Sequence, residues 1–451
     1  MSELDLVLRG GTVLTCDARD TVVQGDVLIR GDRIIAVGDV QSASGARSVD
    51  ARGCIVMPGF VQAHVHLCQT LFRGFAEDAP LLEWLSRHIW PYEGAHTPES
   101  LYASTRLGIS ELLLGGTTAV LDMGTVRHTD VIFEAAERAG LRLTSGKAMM
   151  DKGDAHSDQR PAGLRESTDE SLRLSDDLAS RWHGKASGRL RYAFAPRFIL
   201  SCTDAALAQS AQLARLRGCL IHTHASENPG EIEAVRAATG KSNLRALHDL
   251  GILGPDVVLA HCVWLDADER RLLAETGTRV AHCPSTNLKL ASGIADVPGL
   301  LADGVIVGIG ADGAACNNRL SAFTEMRLAS LLQKPTGGAA AMPARDVVKM
   351  ATMGGARALG IADHVGSLEP GKRADVIVID TAAAHMRPRG DPFTSLVFAA
   401  ESSDVKHVFV DGQWLVRDAR LVRWDLDEVI ADAEAAIDGV LLRAGGAARS
   451  R

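Results

Sequence analysis

Residues 58 to 311 alternate between short apolar segments and longer amphipathic segments. The amphipathic segments, 98–114 and 204–217 among them, space their apolar residues as helices do. Eight strands separated by helices are what a (β/α)8 TIM barrel requires, and no Gly-x-Gly-x-x-Gly follows a strand to favour the competing doubly wound sheet. The segments predicted as strands are 55–66, 118–123, 142–150, 191–198, 219–225, 257–263, 279–283 and 305–311.

Both ends of the chain have a different pattern, in which apolar and polar residues alternate between glycines. Residues 4–57 contain the step Gly31-Asp32 between two apolar runs, which suits a hairpin turn. A similar pattern returns after about residue 360. We therefore predict an α/β protein in which both termini build one small β-sandwich domain. The predicted domains are the N-terminal part of the sandwich at 1–57, the (β/α)8 barrel at 58–360, the C-terminal part of the sandwich at 361–424, and a C-terminal helix and tail at 425–451.

The composition limits the class of protein and of partner. The chain has 451 residues, of which 23% are charged, with a formal net charge of −8 and no basic run. We expect no nucleic-acid partner, because phosphate binding needs clustered Lys and Arg. No apolar stretch reaches the length of a membrane span, and the acidic N-terminus lacks the features of a signal peptide. The eight cysteines include no Cys-x-x-Cys pair, which favours reduced thiols and a cytoplasmic location.

His64 and His66 end the first predicted strand. Residues i and i+2 of a strand point to the same face, so the two imidazoles lie side by side and can chelate one divalent ion. Two strand histidines that merely alternate would give the same pattern. The metal hypothesis is favoured because other predicted strands also end in candidate ligands, at the edge where barrel enzymes hold their catalytic groups.

The fifth predicted strand contains two histidines, His222 and His224, and Glu227 follows in the loop. Only one of these histidines is needed as a ligand, and the other would be a hydrogen-bonded core residue. We select His224 because Glu227 follows it by three residues. A glutamate beside a metal-activated water can shuttle protons if its pocket raises its pKa.

His261 ends the sixth predicted strand, and Asp312 follows the eighth. Three imidazoles and one carboxylate suit Zn²⁺ and leave a position for water, and Fe²⁺ would also fit. No lysine ends the fourth strand at 193–198, so a second metal bridged by a modified lysine is not expected, and we predict one ion. The predicted ligands are His64, His66, His224 and Asp312.

Taken together, these motifs resemble the amidohydrolase superfamily over roughly residues 4–420. The motifs that carry the resemblance are Pro58-Gly59-Phe60, His64-Val65-His66, His224, His261 and Ala311-Asp312-Gly313. The resemblance implies hydrolytic deamination, in which the metal lowers the pKa of water from about 15.7 toward roughly 7. It also implies that Asp312 takes the proton of this water, that Glu227 moves a proton to the ring nitrogen and helps ammonia leave, and that His261 stabilises the attacking oxygen.

Within the superfamily the chain resembles the mononuclear aminohydrolases of purines. Segments shared with that group are 81–85, 90–93 and 287–293. Segments similar to the deaminases of S-adenosylhomocysteine, methylthioadenosine and 5'-deoxyadenosine are 310–318 and 325–334. Features that look like guanine deaminase are Gln69, Ala195-Pro196-Arg197-Phe198 and Ser226-Glu227-Asn228.

Five residues are candidate substrate contacts. Trp84 could stack on a heterocycle or pack in the core. The resemblance implies that Glu93 accepts hydrogen bonds from ribose hydroxyls, although a solvated loop carboxylate would give the same sequence. Arg197 stands where adenosine-type enzymes often have a histidine, and its guanidinium suits the carbonyl of an oxidised purine or a pterin. Gln69 would read the same ring, and His282 is either structural or faces the substrate.

The first functional hypothesis is a deaminase of a 5'-modified adenosine. The alternatives are a guanine or pterin deaminase, an s-triazine chloro- or aminohydrolase, and a non-enzymatic scaffold, which the full set of candidate catalytic residues disfavours. The 151–168 loop, with Lys152, Arg160 and Arg165, could close over the site or meet a substrate carboxylate. We expect a small-molecule substrate, no membrane partner, and a homo-oligomer, either a dimer or a tetramer, as in related enzymes.

Overall fold

A computed structural model describes residues 5–40, 45–152 and 160–446 of the chain. Within these ranges the strands form two sheets of nine strands each. The strands, in chain order, are β1 (Leu6–Leu14), β2 (Val22–Arg30), β3 (Arg33–Gly38), β4 (Arg47–Asp50), β5 (Cys54–Pro58), β6 (Phe60–His66), β7 (Thr117–Thr125), β8 (Arg142–Met149), β9 (Leu190–Pro196), β10 (Leu220–Ala225), β11 (Val257–His261), β12 (Arg279–His282), β13 (Val307–Ile309), β14 (Asp312–Gly313), β15 (Val376–Asp380), β16 (Val405–Val410), β17 (Gln413–Arg417) and β18 (Arg420–Leu421).

Helices connect most strands of the sheet that contains β6 to β14. They are α1 (Leu81–Trp84), α2 (Trp90–Gly94), α3 (Pro98–Leu114), α4 (Asp130–Ala139), α5 (Thr168–Trp182), α6 (Lys185–Gly188), α7 (Asp204–Arg217), α8 (Pro229–Thr239), α9 (Asn243–Asp249), α10 (Ala267–Thr276), α11 (Pro284–Lys289), α12 (Val297–Ala302), α13 (Ala314–Asn317), α14 (Ala322–Leu331), α15 (Lys334–Gly337), α16 (Ala344–Lys349), α17 (Gly355–Ala358), α18 (Pro392–Phe398) and α19 (Leu426–Arg443). Two π-helical turns, Leu85–Ile89 and Met350–Gly354, join α1 to α2 and α16 to α17. Short 3-10 turns lie at Leu67–Phe72, Ala162–Leu164, Ile199–Ser201, Ala384–Met386 and Ser402–Asp404. Within the described ranges no helix is both long enough and apolar enough to cross a bilayer.

Strands β6 to β13 form a parallel sheet in sequential order, and β14 pairs with β6. This is the curled, TIM-barrel-like sheet that the alternating pattern predicts. The predicted strand 55–66 is in fact two strands, because the chain leaves one sheet and enters the other at Gly59. A Cβ at Gly59 would lie 2.1 Å from the side chain of Thr118, so this crossing has room for glycine alone.

The end of the parallel sheet returns to its first strand. A Cβ at Gly308 would lie 2.8 Å from the Cβ of Ala63, and a Cβ at Gly310 would lie 2.6 Å from the carbonyl oxygen of His64. These glycines let β13 and the chain just after it lie directly on β6. Asp312 then pairs with Val65 in parallel register, which brings it beside the histidines of β6.

The other sheet contains strands from both ends of the chain, in the order β18-β17-β16-β15-β5-β1-β2-β3, with β4 paired to β1. It is a mixed sheet, because β5 is parallel to β1 and antiparallel to β15. The sheet bends back on itself: Ile34 N donates to Lys372 O at 2.9 Å, and Gly371 N donates to Ile34 O at 2.8 Å. A separate sheet built from both termini is therefore present, and its description as a two-layered sandwich stays a prediction.

The C-terminal segment forms α19, which begins after Asp425 and packs against α3. The Asp425 carboxylate accepts hydrogen bonds from Asp427 N and Glu428 N and so caps the helix. Arg106 of α3 forms an ion pair with Asp432 at 2.7 Å. The helix thus holds the end of the chain against the parallel-sheet domain.

A buried charge cluster joins the two sheets. Arg142, at the start of β8, donates to both carboxylate oxygens of Asp375 at 2.9 Å and to Asp411 at 2.6 Å. All three side chains are less than a tenth exposed. A buried pair is costly to break, because the partner charges stay behind without compensation.

We predict that Arg142→Ala lowers the free energy of unfolding by about 3–5 kcal/mol, since Asp375 loses its cation in the interior and Asp411 keeps only its longer contacts with Arg189 and Arg373. Chemical denaturation followed by circular dichroism measures this loss. Arg217→Ala is the matched control, because Arg217 pairs with Asp176 at the exposed surface and such pairs contribute little. An equal effect of the two substitutions would show that the cluster does not hold the sheets together.

Candidate metal centre and active site

His64 and His66 lie at the end of β6, and both are buried. The ring of His64 is fixed by His222, since His64 Nδ1 lies 2.7 Å from His222 Nε2. His222 Nδ1 in turn lies 3.0 Å from the carbonyl oxygen of Val258, to which it must donate. His222 Nε2 is therefore an acceptor and His64 Nδ1 the donor, so His64 Nε2 has a free lone pair. Among the described residues, His64 Nε2 has no hydrogen-bond partner.

His224 is prepared in the same way. Its Nδ1 lies 2.7 Å from the carbonyl oxygen of Arg197 on the neighbouring segment, so this nitrogen carries the proton. Burial lowers the pKa of His224 well below its usual value, and the nearby His64 and His66 add to the effect. The neutral ring then presents Nε2 as a lone pair toward the site. A backbone carbonyl that fixes the tautomer is a common support for a metal ligand.

Asp312 joins the histidines through an unusual backbone conformation. Its φ is +60°, in the left-handed region that residues other than Gly, Asn and Asp seldom adopt. The side chain is buried and accepts a hydrogen bond from Gly313 N at 2.8 Å. Burial by itself raises the pKa of Asp312, but the imidazoles of His64, His66 and His261 outweigh it and hold the pKa well below its usual value. This direction favours the carboxylate form that a metal ligand requires.

The four predicted ligands converge on one point. His64 Nε2 lies 3.2 Å from Asp312 Oδ1, His66 Nε2 lies 3.3 Å from the same oxygen, and His66 Nε2 lies 3.3 Å from His224 Nε2. Two donors bound to one tetrahedral zinc are about 3.3–3.4 Å apart, because each bond is about 2.0–2.1 Å long. The donor atoms therefore have the spacing, the lone pairs and the charge of a site for one divalent ion.

Glu227 and His261 lie beside this point. His261 Nε2 is 3.5 Å from Glu227 Oε2 and 3.8 Å from Asp312 Oδ2. A left-handed φ of +74° turns His261 toward the site at the end of β11. Burial raises the pKa of Glu227 well above its usual value, and the carboxylates of Asp312 and Glu231 raise it further. A carboxyl group of this kind can hold a proton near neutral pH and deliver it.

Several supporting residues were missed by the sequence analysis. Glu231 Oε2 accepts a hydrogen bond from Glu227 N at 2.7 Å, and Asn243 donates to the other carboxylate oxygen at 2.6 Å. Asn287 Oδ1 lies 3.0 Å from His261 Nδ1 and holds that ring. The sequence does contain a signal for Glu231, since Asn228 and Glu231 have the spacing of a capping box and do cap α8. The contact of Asn287 had no signal, because 26 residues separate it from His261.

One cavity is lined by five of the six convergent residues, all except His64. Trp84 lines it and is held by a hydrogen bond from its Nε1 to Ala76 O at 3.0 Å. The lining residues are His66, Gln69, Leu81, Trp84, Leu85, Arg197, Phe198, His224, Glu227, Glu231, His261, Leu290 and Asp312.

Two predicted substrate contacts, Glu93 and His282, are not in the cavity wall. The carboxylate of Glu93 is buried against Arg197 and Gln69. His282 is buried on β12, and neither ring nitrogen has a hydrogen-bond partner among the described residues. Burial lowers the pKa of His282 to about 3, with a further contribution from His261, so the ring is neutral.

Besides the groups His64, His66, His224 and His64, His261, Asp312, a third group of possible ligands consists of His66, Cys68 and Glu93. Burial raises the pKa of the Cys68 thiol well above its usual value, and the charge of Glu93 raises it further. The Glu93 carboxylate is already paired with Arg197 at 2.5 Å. This group therefore offers neither a thiolate nor a free carboxylate, and one ion stays the prediction.

The loop predicted at 151–168 is only partly described, since residues 153–159 lie outside the described ranges. Arg160 is buried and donates to the carbonyl of Met150, so its guanidinium is held inside the fold. Glu166 pairs with the buried Lys147 of β8 and anchors the end of the loop. Contact of this loop with a substrate stays a prediction.

The sequence and the fold match known proteins over nearly the whole chain. Residues 55–415 match the model of the amidohydrolase family. The chain is 41% identical to the 5'-deoxyadenosine deaminase of Methanothermobacter thermautotrophicus, covering 97% of this chain and 99% of the relative. It is 39% identical to the 5-methylthioadenosine/S-adenosylhomocysteine deaminase of Syntrophobacter fumaroxidans, covering 95% and 97%.

Two solved structures have closely similar folds. An adenosine deaminase from Xanthomonas campestris with bound zinc has a TM-score of 0.90 and 32% identity, covering 97% of this chain and 98% of its own. An atrazine chlorohydrolase from Arthrobacter aurescens in complex with zinc has a TM-score of 0.89 and 28% identity, covering 96% and 100%. The range matched by the family model includes the residues that build the site. The chain therefore belongs to the amidohydrolase family and is a hydrolase of carbon–nitrogen bonds.

Proposed function

We propose that the protein is a metal-dependent deaminase that hydrolytically releases ammonia from an aminopurine, and that a 5'-modified adenosine is its substrate. The candidate substrates are 5'-deoxyadenosine, methylthioadenosine and S-adenosylhomocysteine. The observation that carries the proposal is the convergence of four metal-donor side chains with Glu227 and His261 beside one cavity. The names of the two relatives support the nucleoside class.

The donor set of His64, His66, His224 and Asp312 would hold one divalent ion, with Zn²⁺ as the first choice and Fe²⁺ as the alternative. When bound, such an ion supplies Lewis acidity and lowers the pKa of water toward about 7. His222 and the carbonyl of Arg197 hold the imidazoles in the tautomers that this ion requires.

The protein's own groups divide the proton transfers between them. Asp312 Oδ2 accepts the proton of the attacking water, because its carboxylate is ionised and faces His261. Glu227 donates its proton to the ring nitrogen beside the attacked carbon. It then takes the hydroxyl proton of the tetrahedral adduct and passes it to the amino group, which leaves as ammonia, and the proton held by Asp312 restores Glu227. His261 Nε2 faces the same space and hydrogen-bonds the attacking oxygen. General acid–base catalysis of this type contributes about 10²–10⁴-fold.

Guanine or a pterin is the second candidate substrate. Arg197 and Gln69 line the cavity, and a guanidinium suits a ring carbonyl. Hydrolysis of an s-triazine uses the same catalytic groups and is the third. We also propose that residues 307–313 act as the eighth strand of a closed barrel, and that the protein is a homo-oligomer, a dimer or a tetramer.

Ammonia release by the zinc-loaded protein tests the choice of substrate. We expect fast release from 5'-methylthioadenosine and slow release from guanine, with no chloride release from atrazine. Fast release from guanine alone would replace the nucleoside by the free base as the substrate. Release of chloride alone would indicate that the protein is an s-triazine hydrolase.

We predict that His64→Ala abolishes stoichiometric metal binding, because it removes one of four donors and leaves His222 without its partner. Elemental analysis of the purified variant measures the metal content. His248→Ala is the control, since His248 is exposed and away from the site. A full equivalent of metal in the His64 variant would remove His64 from the ligand set.

Glu227→Gln should keep the metal and lose turnover by about 10²–10⁴-fold, since an amide cannot transfer the proton. Steady-state ammonia release and metal analysis on the same preparation separate the two effects. Glu233→Gln, an exposed change on α8, provides the matched control. Wild-type turnover by the Glu227 variant would assign proton transfer to another residue.

A further inference from the structure

Glu93 lies behind the cavity wall. Its side chain is 2% exposed and does not line the cavity, whereas Gln69 and Arg197, which both donate hydrogen bonds to it, do. Arg197 comes from the end of β9 and Gln69 from the turn after β6, so Glu93 connects two separate parts of the wall. A carboxylate that contacted ribose hydroxyls would instead have to face the cavity.

Both oxygens of the Glu93 carboxylate are already occupied. Arg197 Nη1 donates to Oε2 at 2.5 Å, and Arg197 Nη2 donates to Oε1 at 3.2 Å. Gln69 Nε2 donates to Oε1 at 2.9 Å. The pair of Arg197 and Glu93 is thus bidentate, which fixes the plane of the guanidinium as well as its position. For Glu93 to turn toward a ribose, the buried Arg197 would lose its counter-charge.

This arrangement also decides which way the amide of Gln69 points. Because Nε2 donates to Glu93, Oε1 is directed away from it and lies against Gly313, where an added Cβ would be 2.1 Å away. Among the described residues, Gln69 Oε1 has no hydrogen-bond partner. A buried acceptor without a partner is costly, and a ligand that supplies an N–H removes the cost.

We propose that Glu93 is a positioning residue, which holds Gln69 and Arg197 as an acceptor and a donor for the substrate ring and does not bind the ribose. The proposal rests on the proposed deaminase function, because it concerns the ring that the enzyme recognises. The matching ring presents an N–H to Gln69 Oε1 and an acceptor atom to Arg197. An aminopurine has both kinds of group.

The first experiment compares Glu93→Gln with wild type on 5'-methylthioadenosine and on its 2',3'-dideoxy analogue. We expect kcat/KM to fall by about 100-fold, since a misplaced binding group costs about that much. The loss should be equal for the two substrates and should lie mainly in KM. A loss on the ribonucleoside that disappears with the dideoxy analogue would overturn the proposal and place Glu93 on the ribose.

The second experiment is a double-mutant cycle of Glu93→Gln and Arg197→Met in kcat/KM. If Glu93 acts through Arg197 and Gln69, the double variant should lose clearly less than the sum of the two single losses, because only the part that passes through Gln69 adds to the loss of Arg197. Fully additive losses would show that the two residues act independently and would overturn the proposal. Glu83→Gln, a change at the exposed end of the Glu83–Arg87 pair, should leave kcat/KM unchanged.

The same cycle in chemical unfolding, without substrate, separates this proposal from the proposed function. We expect the shifts of the unfolding midpoint to be non-additive, because the two charges are buried together. If the wild type released no ammonia from any nucleoside, the deaminase proposal would fail while non-additive shifts still supported the contact. Additive shifts would overturn the contact, whatever the substrate.

Discussion

The close approach of the chain at Gly310 to the backbone of His64 is the constraint on which the site depends. A Cβ at Gly310 would lie 2.6 Å from the carbonyl oxygen and 2.8 Å from the nitrogen of His64. Only glycine permits this approach, and it seats Asp312 in register with Val65 on β6. The left-handed φ of Asp312 then turns its carboxylate onto the histidines. The last segment of the parallel sheet thereby completes the donor set begun by the first.

The backbone of the sheet also sets the protonation of the donors. The carbonyl oxygens of Val258 and Arg197 can only accept hydrogen bonds, so the imidazole nitrogens that face them must carry protons. The carbonyl of Val258 fixes the tautomer of His222, and His222 in turn fixes that of His64. The carbonyl of Arg197 fixes the tautomer of His224 directly. Burial keeps His222 and His224 neutral, since it lowers their pKa values. The backbone carbonyls of the sheet therefore decide which imidazole nitrogens are free to bind a metal.

Much of this arrangement was readable from residue patterns, and some was not. The parallel strands, the sheet from both termini, and the candidates His64, His66, His224 and Asp312 came from alternation and from positions at strand ends. The pattern of residues 55–66 predicts a single strand, because both halves are apolar and no local signal marks the change of sheet at Gly59. The π-helical turns were equally invisible, since their residues have ordinary helical patterns.

The second layer of contacts around the site was beyond sequence reasoning for a different reason. Glu93 looked like a loop carboxylate or a ribose contact, because one sequence does not show that it lies between Gln69 and Arg197. Those residues are 24 and 104 positions away from it. Nor does a sequence show that His282 is buried outside the cavity wall, since both faces of a strand can be buried in a barrel-like fold.

The sequence by itself determined the local quantities: which segments are strands, which side chains lie at their ends, and which of these can bind a metal or carry a proton. These follow from periodicity and from the chemistry of each side chain, which need no knowledge of neighbours. The tertiary structure alone decided the distances between donors, the tautomers of the histidines, the raised pKa of Glu227 and the partners of Glu93. Each of these depends on groups that are distant in the chain, because electrostatic and hydrogen-bonding effects follow spatial separation and burial.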